Sequence, residues 1–162
     1  MSQTPTQFHD TVISPGLDIL RLLGGPSNTP AARRVLLAIA RQEGGPQFAR
    51  RQVDGPARGA WQFERGGGVH GVMYHPASTH LARDLVKHYG VIWDERMIHP
   101  ALEHIDGLAC GFARLLLWTD PMPFPVDAGA GWQAYLRSWR PGRPHPAAWP
   151  ENWRIASEVV GI

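Results

Sequence analysis

Residues 35–64 read VLLAIARQEGGPQFARRQVDGPARGAWQFE, and this stretch decides the fold. Its first half is helical: Asn28 or Thr29 supplies an N-cap, Pro30 suits the first helical position, and Val35, Leu36, Ile39 and Ala40 recur at the spacing of one buried face. The spacing predicts a helix ending near Glu43, where Gly44, Gly45 and Pro46 stop it. From Phe48 to Val72 the helical period vanishes and glycines are dense, so runs such as Gly59 to Glu64 read as a small glycine-rich loop or β-ribbon lining a cleft.

Working outward, Ser14 and Pro15 start a short helix with Leu17, Leu20 and Leu23 inward and Gly24 closing it. Ser78 to Tyr89 repeats the pattern with Leu81, Leu85 and Val86. Pro100 to Trp118 carries Ile105, Leu108, Ala109, Phe112, Leu115 and Leu116, the most apolar helical pattern of the chain, and reads as the central buried helix. Three prolines within Asp120 to Pro125 end it, and two more helices follow, Asp127 to Trp139 and Pro150 to Val160. The reading is a mainly α protein of about six helices around a central apolar one. Residues 1–13 read as a loose N-terminal leader and residues 14–162 as a single domain.

The 162 residues are enough to bury one core without staples. Only Lys87 among 16 basic residues is a lysine, a bias that a GC-rich genome explains as well as any chemistry. A formal charge of +2 with scattered arginines gives no dense basic run, so nucleic acid is not an expected partner, whereas a mild positive field suits an anionic cell wall. The single Cys110, inside an apolar run, permits no internal disulfide and reads as a buried thiol. No stretch approaches the length of a membrane span, and the start shows no basic-then-apolar export pattern. Eight histidines show no metal-ligand spacing, so no metal or other cofactor is expected, and His70 and His75, near the loop after Glu64, read as turn residues, with contact to a ligand in the cleft as the alternative for one of them. Gly66, Gly67 and Gly68 lack the lysine and hydroxyl of a phosphate loop and read as a turn.

Chemistry centres on Glu43. Periodicity alone leaves two readings, an exposed glutamate in a fraying last turn or an acid on the inward stripe with Leu36, Ile39 and Ala40. In the second, desolvation and the negative end of the helix dipole disfavour the charged carboxylate, leaving a neutral acid able to protonate a glycosidic oxygen. The following loop adds two carboxylates, Asp54 and Glu64, and the amide of Gln62.

Ala40, Arg41, Gln42, Glu43 and Gly44, followed by Gly59, Ala60, Trp61 and Gln62, resemble the Glu-Ser then Gly-Leu-Met-Gln signature of soluble lytic transglycosylases and goose-type lysozymes. Gly111 and Leu115 resemble that family's Gly-x-x-x-Leu helix, and Tyr135 to Gly142 stands where it has a Tyr-Asn-Ala-Gly segment, so the resemblance spans roughly residues 33–142. Gly44 stands for the usual serine, Ala60 and Trp61 for leucine and methionine, and the asparagine is absent. The resemblance implies a lysozyme-like, α+β fold, Glu43 as general acid or acid and base in turn, and Gln62 lining a sugar groove. It also sets the second carboxylate among Asp54 and Glu64, since goose-type enzymes have acidic residues just before the glycine-rich loop and two places after the glutamine.

An inverting hydrolase needs a base about 6.5–9.5 Å from the acid and a retaining one a nucleophile at about 5–5.5 Å. A lytic transglycosylase needs neither, because the substrate's own groups close a 1,6-anhydro ring. Sugars stack on aromatic faces, so Trp61, Tyr135 and Trp139 are candidates for the groove, against core filling as the alternative for the whole aromatic C-terminal third. Arg58 and Arg140 are candidates for carboxylates of the peptide stems, against solvated surface arginines.

Two functions follow as expectations. One is a muramidase or lytic transglycosylase that cuts the bond between N-acetylmuramic acid and N-acetylglucosamine in bacterial peptidoglycan. Without an export pattern it needs a delivery route from the host cytoplasm to the cell wall, which fits a bacteriophage endolysin or virion component. The other is a lysozyme-fold structural or assembly part of a phage particle, bound to other virion proteins and with little turnover, favoured by Gly44 and the missing asparagine. A chitinase of similar fold is a more distant third.

Overall fold

The computed structural model describes residues 3–162. The described residues are mainly helical, at 66% helix. In order, the helices are α1 (Pro5–Phe8), α2 (Ser14–Leu22), α3 (Pro30–Gly44), α4 (His70–Tyr74), α5 (Thr79–His88), α6 (Glu95–His104), α7 (Asp106–Trp118), α8 (Ala128–Trp139) and α9 (Trp149–Val160).

Helix α3 forms as its sequence dictates. The Thr29 hydroxyl accepts a hydrogen bond from the Ala32 amide at 3.1 Å, Pro30 occupies the first turn, and Gly45, at φ 71°, ends the helix. Every residue from Val35 to Ala40 is buried, not only one stripe, because α9 covers one side of α3 while α7 and the loop after Gly44 cover others. Helix α7 is its counterpart, buried from Leu108 to Leu117. Each fully buried leucine or isoleucine in this pair contributes about 1.5–3 kcal/mol of transfer free energy.

Three expectations need correction. The segment read as a loose leader is helical from Pro5 and packs into the core through Phe8, Val12 and Ile13; Met1 and Ser2 lie outside the described residues. A capping box secures it: the Thr4 hydroxyl accepts from the Gln7 amide at 3.1 Å while the Gln7 side chain accepts from the Thr4 amide at 2.9 Å. Phe8 then stacks on Phe48 with ring centroids 4.1 Å apart. A π-helical turn, His9–Ile13, joins α1 to α2.

The helix expected over Pro100 to Trp118 is two helices, broken at Ile105, whose φ of −119° and ψ of 89° leave the helical region. Helix α6 begins before Pro100, where the Asp94 carboxylate caps the Arg96 amide at 2.8 Å. Helix α7 starts afresh at Asp106, held by the Arg50 guanidinium at 3.0 and 2.9 Å. Gly66, Gly67 and Gly68, read as a turn, lie within a π-helical turn, Arg65–Val69, that leads into α4. Helical segments therefore outnumber the expected six.

The ribbon is reduced among the described residues to two isolated antiparallel bridges, Arg51 with Arg58 and Arg58 with Phe63. Between Arg58 and Phe63 a tight turn puts Gly59 at φ 79° and Gln62 at φ 52°. Gly59 suits that turn doubly, since a Cβ there would meet the Leu102 carbonyl oxygen at 3.0 Å.

Candidate active site

The C-terminal end of α3, the Arg58–Glu64 turn, the end of α8 and the loop after it enclose a cleft of about 570 Å³. Glu43, Gln62, Glu64, Tyr135, Trp139 and Arg140 all line it. Beyond Glu64 the cleft runs into a second depression of about 710 Å³, which shares Glu64, Gly67, Gly68, Leu116, Ser138, Trp139 and Arg140 with the first. The pair forms one continuous groove, a shape suited to a chain-like ligand.

Glu43 is partly buried and its carboxylate accepts a hydrogen bond from the Tyr135 hydroxyl. Burial raises its pKa above the ordinary glutamate value; the Tyr135 hydrogen bond and the charge of His145 pull the other way, and the negative charge of Glu64 adds to the rise. Tyr135, only 3% exposed, is held protonated by its own burial and by Glu43. The glutamate therefore sits against a permanent hydroxyl donor.

Tyr135 is fixed by aromatic packing. Its ring stacks on Trp149 at 5.8 Å and on Trp139 at 6.2 Å, with Trp132 tilted at 5.3 Å. Trp139 in turn donates its indole N–H to the Trp61 carbonyl at 2.9 Å, tying α8 to the turn that carries Gln62. Gln62 holds a left-handed backbone and donates its amide to the Gly59 carbonyl at 2.9 Å and the Ala49 carbonyl at 3.2 Å. Its amide oxygen has no hydrogen-bond partner among the described residues, and the residue lines the cleft.

Several expected site residues lie elsewhere. Trp61 is fully buried and donates its indole N–H to the Leu36 carbonyl at 2.9 Å, so it pins the turn to α3 and offers no face to a sugar. Arg58 donates to the Gly55 and Ala57 carbonyls, both at 2.8 Å, bracing its own loop outside the cleft lining. Asp54 is exposed on that loop at φ 54° and is not part of the cleft wall. Of the two candidate second carboxylates, only Glu64 lines the cleft.

The cleft also contains residues that sequence reasoning missed. Gln42 donates to the His145 carbonyl at 2.9 Å and accepts from the Asn152 amide at 2.9 Å, clamping the loop after α8 onto α3. That clamp sets His145 and Arg143 along the rim. The run of prolines from Pro141 to Pro146 was the signal for a rigid wall there.

Gly44 has a packing reason. A Cβ at this position would lie 2.9 Å from the Ala49 amide nitrogen and 3.2 Å from the carbonyl oxygens of Ala49 and Ala60. The loop backbone rests directly on the helix end beside Glu43. Cys110 is buried and its thiol pKa is raised by burial and by the charge of Asp106, which makes it a core residue. Among the described residues no group of three or more His, Cys, Asp or Glu is arranged to hold a metal ion, and no helix is long and apolar enough to cross a membrane. Comparison of the chain with protein-family models, curated proteins and solved structures gave no match.

Proposed function

We propose that this protein is a peptidoglycan-cleaving glycosidase of lysozyme-like fold in which Glu43 is the general acid. The observation that carries the reading is a carboxyl group with a raised pKa, facing a groove and bonded to the Tyr135 hydroxyl. A neutral carboxylic acid at that place gives its proton to the glycosidic oxygen as the bond from C1 to that oxygen breaks. The oxocarbenium-like centre left behind is then captured in one of two ways. With Glu64 as base, water attacks C1 and a reducing end forms; with the sugar's own 6-hydroxyl attacking, its proton returns to Glu43 and a 1,6-anhydro end forms.

Trp139 supplies an aromatic wall, Tyr135, its ring stacked between Trp139 and Trp149, holds Glu43 behind it, and Gln62 offers an amide oxygen for sugar hydroxyls. Arg140 and Arg143 at the rim suit the carboxylates of peptide stems. The resemblance to goose-type lysozymes and lytic transglycosylases points the same way. Delivery as a phage lysin or as a virion component belongs with this reading.

A second reading, a glycan-holding or assembly component of a phage particle with little turnover, is favoured by one observation. The Gln62 amide group is spent on backbone carbonyls and leaves one acceptor for a substrate. Purified peptidoglycan separates the two. Wild-type protein is expected to clear it and Glu43→Gln to lose about 10²–10⁴-fold in rate while keeping its fold. Absence of clearing by the wild type across a pH series contradicts the enzyme, and full activity in the variant contradicts the role of Glu43. Mass spectrometry of the fragments tells the two captures apart by one water.

A further inference from the structure

A second cavity lies apart from Glu43. The C-terminal half of α7, the loop Asp120 to Pro125 and Ala134 of α8 enclose about 370 Å³, with Leu117, Trp118, Met122 and Phe124 as apolar walls. Arg114, on α7, lines it and is only 7% exposed. Its Nε and Nη1 atoms have no hydrogen-bond partner among the described residues. The guanidinium lies over Phe124 at 4.7 Å and over Trp118 at 5.7 Å. Such stacking engages the faces of the guanidinium and offsets part of the cost of burying the cation; Nε and Nη1 are closed off from any accessible surface, so Nη2, which makes no hydrogen bond among the described residues, is the donor that an occupant of the cavity can reach.

Asp120 is the one carboxylate in the lining, and it is committed to Arg137 at 2.8 Å. Burial lowers the Arg114 pKa to about 10, so the cation persists at neutral pH. A cation with unmet donors beside an apolar cavity is complementary to one kind of occupant, a body without polar groups ending in a single negative charge. The volume suits one aromatic ring or a short alkyl chain. A dianion such as phosphate would bring more desolvation cost than one guanidinium offsets.

We propose that this cavity binds a small amphipathic carboxylate, its apolar body against Leu117, Met122 and Phe124 and its carboxylate on Arg114. The site is independent of the glycan-cleaving reading and shares only Asp120 with the groove.

Calorimetric titration with 3-phenylpropanoate and its neutral amide tests it. The wild type is expected to bind one carboxylate per chain, at least about tenfold tighter than the amide. Arg114→Met is expected to lose that preference and to melt no lower than the wild type, because an uncompensated buried cation has gone. Should Arg114→Met not fold, Arg114→Lys keeps the charge without the planar fork and is expected to weaken the carboxylate while leaving the amide unchanged. Equal affinity for the two probes, binding of neither, a carboxylate preference that survives Arg114→Met, or one left undiminished by Arg114→Lys overturns the proposal.

Discussion

Glu43 and Glu64 border the same cleft, but the first is carried at the end of a buried helix and bonded to a tyrosine hydroxyl, whereas the second stands exposed at the head of a glycine run. The Glu43 wall is held from several sides: Trp61 ties the turn to α3, Trp139 ties α8 to the turn, and Gln42 ties the proline-rich loop to α3. The Glu64 side chain makes no hydrogen bond among the described residues, and its neighbours Arg65, Gly66 and Gly67 are exposed. Burial at the helix end, with the Glu64 charge added, raises the proton affinity of Glu43, the property that a general acid requires. The lesson is that burial of the supporting frame, more than the carboxylates' own contacts, separates them.

Substitutions that disturb this contrast are ordered here by their expected effect on stability. Gly44→Ser should have the largest, because the new Cβ meets loop backbone and not a flexible side chain. A loss of about 1–3 kcal/mol is expected, read as a lower thermal midpoint, with a matching loss of activity as the loop is pushed off the helix end. A midpoint unchanged from the wild type would mean that the loop does not rest on α3.

Tyr135→Phe comes next, at about 1 kcal/mol for one hydrogen bond to a carboxyl group. Because that bond lowers the Glu43 pKa, its removal raises the pKa further. The alkaline limb of the pH–rate profile, where a general acid is lost, should shift to higher pH. A shift to lower pH would refute the contact.

Glu64→Gln should be the mildest, within about 0.5 kcal/mol, since the residue is exposed. Loss of its negative charge lowers the Glu43 pKa, moving the alkaline limb the other way from Tyr135→Phe. About 10²-fold less reducing-end product is expected if Glu64 activates water. An unchanged rate with 1,6-anhydro ends assigns the reaction to transglycosylation.

Much of this was legible in the sequence. Helix α3 could be read from Thr29 to Gly44 because cap, proline, apolar period and glycine stop agree, and that fixed the position of Glu43. The break at Ile105 was not legible, because the apolar period continues through it and the Arg50 to Asp106 pair that anchors the new helix joins residues 56 apart in the sequence. The leader was misjudged although Thr4 and Gln7 form a capping box and Pro5 opens the helix; three polar residues hid an apolar anchor, Phe8. Among the aromatics, sequence could not separate Trp61, which bonds to Leu36 in the core, from Trp139, which lines the cleft, because both bury large rings next to turns. Asp54 and Glu64 likewise differ only in where the turn at Gly59 sends the chain.

The raised Glu43 pKa also sets a pH dependence of folding. The folded state holds this proton more tightly than the unfolded chain, so the resulting stability is fully present below the unfolded pKa and is lost as pH rises through the folded one. Glu43→Gln is therefore expected to gain on the wild type as pH rises toward neutral. The most direct test is a carbon-13 NMR titration of the glutamate side-chain carboxyls, with Glu43 assigned as the resonance missing from Glu43→Gln. It is expected to titrate above every exposed glutamate of the protein. Titration at or below the exposed glutamates would contradict an acid kept protonated in the cleft.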